Sequence, residues 1–177
     1  MKKRIFIAIN ISDNLKEEIK KFRQKYNDLP VRWMPDENLH LTLMPPTEFD
    51  DNEMVKMIEK LKKIEGELGF IEVKFDQACL GPDLRRPRLI WVKCEENSKL
   101  ESLKNRMTDI LGLRRVGRPN SFHLTIARFK PRDYANFKIK NLCEEVDWTE
   151  IAKSFNIIQS ECLSERARYT KLAEIKL

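Results

Sequence analysis

The sequence predicts an α+β fold of two pseudo-symmetric lobes, each an antiparallel sheet with outer helices, around a central groove. Two observations predict it. The chain's only two histidines occupy the same tetrapeptide pattern, "HLTL" at residues 40–43 and "HLTI" at 123–126, about half of the 177-residue chain apart. Around them the segments run strand, helix, strands, then strands, helix, strands. The length fits one domain made of two small fused lobes, residues 1–177, with no low-complexity segment and no long linker.

Each element has a local reason. "RIFIAI" (4–9) is a strand, and "DNLKEEIKKFRQKY" (13–26) a helix with Asp13 as N-cap and Leu15, Ile19 and Phe22 on one face. "VRWMP" (31–35) is a short extended piece before the first tetrapeptide strand. That strand should stop at Pro45 and Pro46, which lack the N–H a ladder needs. "DDNEMVKMIEKLKKIEG" (50–66) carries Met54, Ile58, Leu61 and Ile64 at helical spacing, with Gly66 near its end. "FIEVKFDQACL" (70–80) and "RLIWVKC" (88–94) are strands separated by the turn-rich "GPDLRRP". A third helix spans 97–112, with Leu100, Leu103, Met107, Ile110 and Leu111 on its apolar side, and "SFHLTIARF" (121–129) is the second tetrapeptide strand. "RDYANFKIKNLCEEV" (132–146) accommodates a short helix. "SFNIIQSECLS" (154–164) and "ARYTKLAEIKL" (167–177) close the chain as antiparallel neighbours.

Composition narrows the function classes. Hydrophobic residues make up 41% and charged residues 35%, enough for a core and a solvated surface. No apolar run approaches the roughly 20 residues of a membrane helix. Asn10 and Asp13 interrupt the first apolar run too early for a secretory leader. A cytoplasmic protein without a membrane partner is expected. Cys79, Cys94, Cys143 and Cys162 form no C-x-x-C pair, and only two histidines are present, so the expectation is free thiols and no zinc. The net charge of +6 and pI near 9.1 are compatible with a polyanion such as RNA.

The repeated tetrapeptide carries the chemistry. On a strand, residues i and i+2 share a face. His40 projects with Thr42, and His123 with Thr125, while Leu41, Leu43, Leu124 and Ile126 point into a core. With six threonines in the chain, one histidine has Thr two positions on by chance about 1 time in 30, and both do so about 1 time in 900. Two half-buried structural histidines are therefore a poor explanation. A neutral imidazole takes a proton from water, and a protonated one gives a proton to a leaving oxygen. The threonine hydroxyls donate to phosphate oxygens between them. A two-histidine metal site lacks carboxylates beside either tetrapeptide on the same strand face. No G-x-S-x-G marks a serine hydrolase.

With these residues on the page, the chain resembles the 2H phosphoesterases. Within them it resembles the bacterial and archaeal RNA 2′,3′-cyclic phosphodiesterases, also called 2′-5′ RNA ligases. The resemblance spans "RIFIAINISDNLKEEI", "VRWMPDENLHLTL", "RPRLIWVKC", "RPNSFHLTIARF" and "IIQSECLSERARYTKLAEIKL". It implies the 2H phosphoesterase fold and metal-independent hydrolysis of 2′,3′-cyclic phosphate ends of RNA or nucleotides to 2′-phosphates. It implies His40 and His123 as catalytic residues, with His123 as base and His40 as acid. Thr42, Thr125, Arg128 and Tyr169 are implied as substrate contacts. No cofactor and no metal are expected, and the protein is expected to be a monomer whose partner is RNA with a cyclic phosphate end or a cyclic nucleotide. Joining or cleaving 2′-5′ linkages, and a non-catalytic RNA-binding module, are the alternatives.

Other details bear on the groove. The family usually continues its first motif with Lys-Phe-Leu-Gly, where this chain has "MPPTEF" (44–49). It often has Pro before the second histidine, where this chain has Phe122. Both departures concern substrate preference. The basic stretches "RRPR" (85–88) and "RRVGR" (114–118) are either a rim for the RNA backbone or solvated loop charge. Trp33, Trp91, Phe122 and Tyr169 are aromatic enough to stack a base, though strand aromatics are more often core. Strand parity sets Arg128 on the opposite face from His123 and Thr125 unless a bulge intervenes.

Overall fold

The computed structural model describes residues 2–113, 122–162 and 167–177. The strands are β1 (Lys3–Asn10), β2 (Arg32–Trp33), β3 (His40–Phe49), β4 (Ile71–Gly81), β5 (Leu89–Cys94), β6 (His123–Arg128), β7 (Cys143–Ala152), β8 (Ser154–Cys162) and β9 (Ala167–Lys176). The helices are α1 (Asp13–Lys25), α2 (Asp51–Lys62) and α3 (Ser98–Leu111). The strands form one antiparallel sheet in the order β7-β4-β5-β6-β3-β1-β8-β9, with β2 beside β6. The α+β class holds. The two sheets expected to line a groove are instead two halves of one sheet, and β3 and β6 join them at a single pair, Leu41 and Leu124.

The two halves are built by the same device. A strand is followed by a helix and then by the motif strand that pairs with the first: β1-α1-β3, and later β5-α3-β6. Each helix crosses to the opposite half. From β1, α1 crosses to β7, where Phe22 meets Trp148 edge-on at 5.9 Å and Lys25 bonds Glu144 at 2.7 Å. From β5, α3 crosses to β3, and Lys104 and Thr108 line one cavity with Leu43 and Met44. One apolar core therefore runs through both halves. It joins Ile5, Ile7 and Ile9 to Leu41, Leu43, Val92, Leu124 and Ile126, under Ile19, Phe22, Leu61, Leu103 and Met107. Transferring so much apolar surface out of water is the main drive to fold.

Several local expectations are corrected. Ser12, not Asp13, is the N-cap of α1: its side chain accepts from Leu15 N, and its own N–H donates to Glu150 Oε2 at 2.8 Å. The cap shifts because this bond fixes Ser12 against β7. At α2, Asp50 and Glu53 form a reciprocal capping box. β3 does not stop at the prolines. The pairing skips from Ile5–Thr47 to Ile7–Met44, so Pro45 and Pro46 fall in a bulge where no ladder N–H is needed. The helix expected in 132–146 shrinks to a 3-10 turn at Asp133–Asn136, and the unforeseen β7 follows it. Cys79 and Cys143, directly opposite on β4 and β7, are joined by a disulfide rather than free. Cys94 is free, and burial, with Asp76 and Glu95 nearby, pushes its thiol up to about 12.

Candidate active site

The Leu41–Leu124 pair fixes the site. Its antiparallel register carries His40 toward Thr125 and Thr42 toward His123, all four on the face opposite the core. The burial patterns of β3 and β6 agree: both begin with half-buried His, buried aliphatic, half-buried Thr, then two buried residues and an exposed one. Directly opposed Cβ atoms lie roughly 4.5–5.5 Å apart and diagonal ones about 7–8 Å apart, so the two imidazoles are diagonal neighbours.

The two consecutive buried residues mark a bulge in each motif strand. In β6, Thr125 pairs with Trp91, but Ala127 pairs with the adjacent Ile90, leaving Ile126 as the extra residue. In β3, Leu43 is the extra residue between Thr42–Ala8 and Met44–Ile7. The bulge in β6 returns Arg128 to the face of His123 and Thr125. At the matching position of β3 stands Pro45, so the first motif supplies no cation there.

His40 donates from Nδ1 to the carbonyl oxygen of Asn38 at 2.7 Å, because a carbonyl can only accept. Nε2 is thereby the nitrogen left for chemistry. Burial holds His40 below its ordinary range, the bond to Asn38 opposes this, and the positive charges of Arg128 and His123 add to the lowering. Phe6 braces the ring from below at 5.0 Å between centroids. Tyr169 stands edge-on at 5.6 Å and touches Phe6 at 4.9 Å. Phe6, Ala8 and Ile158 form a small second cluster beneath the site, with Tyr169 packed on it. On the other side Trp91 packs against His123 at 4.7 Å. The indole lies over Gly81, where a Cβ would come within 2.3 Å of Trp91 Cε2.

The six residues expected at the site thus lie on one face: His40, Thr42, His123, Thr125, Arg128 and Tyr169. Of the other aromatics, Trp33 meets Phe22 on the core side and Phe122 is buried. The Arg88 end of "RRPR" abuts the end of β6, where Phe129 N–H donates to Arg88 O at 3.0 Å. "RRVGR" lies outside the described residues. Sequence reasoning missed Phe6, although its alternation with Ile5 and Ile7 was a signal for the opposite face. Among the described residues no group of three or more His, Cys, Asp or Glu side chains could hold a metal ion, and no helix is long and apolar enough to cross a membrane.

The match to a family model, LigT like Phosphoesterase, covers residues 5–91. An RNA 2′,3′-cyclic phosphodiesterase of Methanocaldococcus jannaschii is 32% identical over 166 residues, covering 89% of this chain and 91% of that protein. The chain belongs to the LigT-like 2H phosphoesterases. A second relative, the RNA 2′,3′-cyclic phosphodiesterase of Archaeoglobus fulgidus, is 25% identical over 133 residues, covering 73% of this chain and 74% of that one. The fold matches E. coli LigT complexed with 3′-AMP at a TM-score of 0.78, with 24% identity over 100% of this chain and 99% of that one. It matches a Thermus thermophilus protein at 0.81, with 16% identity over 98% and 97% of the two chains. These likenesses establish the LigT-like fold.

Proposed function

We propose that the chain hydrolyses 2′,3′-cyclic phosphate ends of RNA or nucleotides to 2′-phosphates, without a metal, as a single bilobal domain. The observation that carries this reading is the Leu41–Leu124 pair, which sets each histidine near the other motif's threonine on one open face. The phosphate lies between the strands. Thr42 and Thr125 donate hydroxyl hydrogen bonds to its non-bridging oxygens, and Arg128 offsets the charge gathering there. His123 takes the proton of the attacking water. His40 gives the proton on Nε2 to the departing 3′ oxygen, in line with the attack. Its Nδ1 bond to Asn38 holds the ring in that orientation. Burial favours neutral His40 in the empty groove, and the substrate's negative charge restores the proton when it binds. Tyr169 and the Phe6 beneath it offer a wall for the terminal nucleoside.

The relatives named RNA 2′,3′-cyclic phosphodiesterase support the substrate class. The test is incubation with adenosine 2′,3′-cyclic phosphate in chelator, with the product identified by NMR. Turnover to the 2′-phosphate is expected. His40→Ala and His123→Ala should each lose on the order of 10²–10⁴-fold in rate. Turnover that appears only with added divalent metal would refute the scheme. Faster cleavage of a 2′-5′-linked dinucleotide would move the substrate to that class, and tight RNA binding with no turnover of either would make it a binding module.

A further inference from the structure

The two motifs are not equal in charge. In β6 the bulge sets Arg128 beyond Thr125, at the end of the site where His40 stands, and its positive charge acts on His40. β3 runs antiparallel to β6, so the matching position beyond Thr42, Pro45, lies at the other end, toward His123. Proline brings no charge to that end, but the neighbouring strand does. β5 pairs with the edge of β6 that β3 leaves open, and its register sets Trp91 opposite Thr125 and Lys93 directly opposite His123. Directly opposed residues share a face of the sheet. Trp91 identifies that face, because it packs against His123. Lys93 is exposed there, while the preceding Val92 is buried in the core. Its one partner among the described residues is the neutral side-chain oxygen of Gln77 on β4, at 3.3 Å. An ammonium has three N–H donors, so this bond leaves two for another acceptor and does not cancel the charge.

We propose that Lys93 is a further catalytic residue, whose ammonium holds a non-bridging oxygen of the reacting phosphate from the His123 side. The inference rests on the phosphodiesterase reading above. Reach supports it. A phosphate between β3 and β6 lies about one and a half strand spacings from β5, or about 7 Å. A flexible four-carbon stem covers most of that distance, and a hydrogen bond covers the rest. The chemistry gives the contact its value. A cyclic phosphate diester carries one negative charge. As His123 takes the water's proton and the water oxygen adds to phosphorus, the charge on the phosphoryl group rises to two. A fixed cation beside it therefore stabilises the transition state more than the bound substrate. Arg128 and Lys93 flank the phosphate from opposite ends, and the lysine supplies from β5 the charge that Pro45 does not supply from β3.

The test is Lys93→Met, which keeps a long side chain and removes the charge, beside Lys93→Arg, which keeps the charge. With adenosine 2′,3′-cyclic phosphate, Lys93→Met should lower kcat by roughly 10–10²-fold, as loss of one charge-assisted hydrogen bond allows, with KM within about threefold of wild type. Lys93→Arg should recover most of that loss. The urea midpoint of both variants should stay at the wild-type value, because the side chain is exposed. A kcat for Lys93→Met within about twofold of wild type, a loss confined to KM, or a fall in kcat that Lys93→Arg does not restore would overturn the assignment. Calorimetric binding of adenosine 2′-phosphate at about pH 8, where the phosphate carries two charges, separates this inference from the reading beneath it. An affinity at least about tenfold weaker in Lys93→Met than in wild type supports the contact even if no cyclic substrate turns over. Equal affinities, or no binding by the wild type, overturn it whatever the activity.

Discussion

Burial and the positive charges of Arg128 and His123 favour the neutral form of His40, and the Nδ1–H bond to the Asn38 carbonyl opposes them without prevailing. With only two histidines in the chain, imidazole signals in NMR can follow each directly. His40 should titrate below the ordinary 6.5 in the free protein. Removing a neighbouring cation with Arg128→Gln should raise its midpoint, and so should a bound nucleotide 2′-phosphate. A free-protein midpoint at or above 6.5 would contradict the burial argument. The threonines are tested by Thr42→Val and Thr125→Val, which keep β-branching and remove the hydroxyl. Each should keep the fold and lose roughly 10²-fold in rate; unchanged turnover would make them structural. The order of acid and base is tested with a p-nitrophenyl phosphodiester, whose leaving group needs no proton. His40→Ala should lose much less rate on it than on the natural substrate, while His123→Ala should lose rate on both. The reverse pattern would exchange the roles.

At the scale of elements, Gly81 on β4 and Trp91 on β5 are one unit, because the indole occupies the space a side chain at 81 would need. Gly81→Ala should destabilise the protein by about 1–3 kcal/mol in urea unfolding, the usual cost of overpacking. In a Trp91→Leu background that cost should largely vanish. A cost independent of Trp91 would place the strain elsewhere. This pairing was invisible in the sequence, since Gly81 and Trp91 lie on different strands and only their register brings them together. The motif strands were legible for the opposite reason: two residues at i and i+2 decide a face without tertiary information. Pro45 and Pro46 misled because a bulge, which no local pattern announces, removed the need for their N–H groups. β7 was missed because its inward positions are Glu144, Val146, Trp148, Glu150 and Ala152. Two carboxylates among five hide the alternation. They are inside because α1 supplies their partners, Lys25 and Tyr26 for Glu144 and the Ser12 N–H for Glu150.

At the scale of the molecule, the face that carries both histidine–threonine pairs exists only where the halves meet, so the stability of that junction and the geometry of the site are one problem. The sheet itself joins the halves at a single pair, a weak hinge if it acted alone. The crossed helices make up the difference, since α1 and α3 each begin in one half and pack on the other. The core beneath Leu41 and Leu124 is thus shared, and both residues are fully buried within it. Two lobes with a common core should unfold together, giving one heat-absorption peak in calorimetry whose van't Hoff and calorimetric enthalpies agree. Leu124→Ala should cost about 2–5 kcal/mol by leaving a cavity at the junction. It should lower that single peak as a whole, and activity should fall with it because His123 and Thr125 flank the residue removed. Two separate peaks, or a Leu124→Ala variant in which only part of the transition moves, would show instead that the halves fold independently and that the site is assembled by docking.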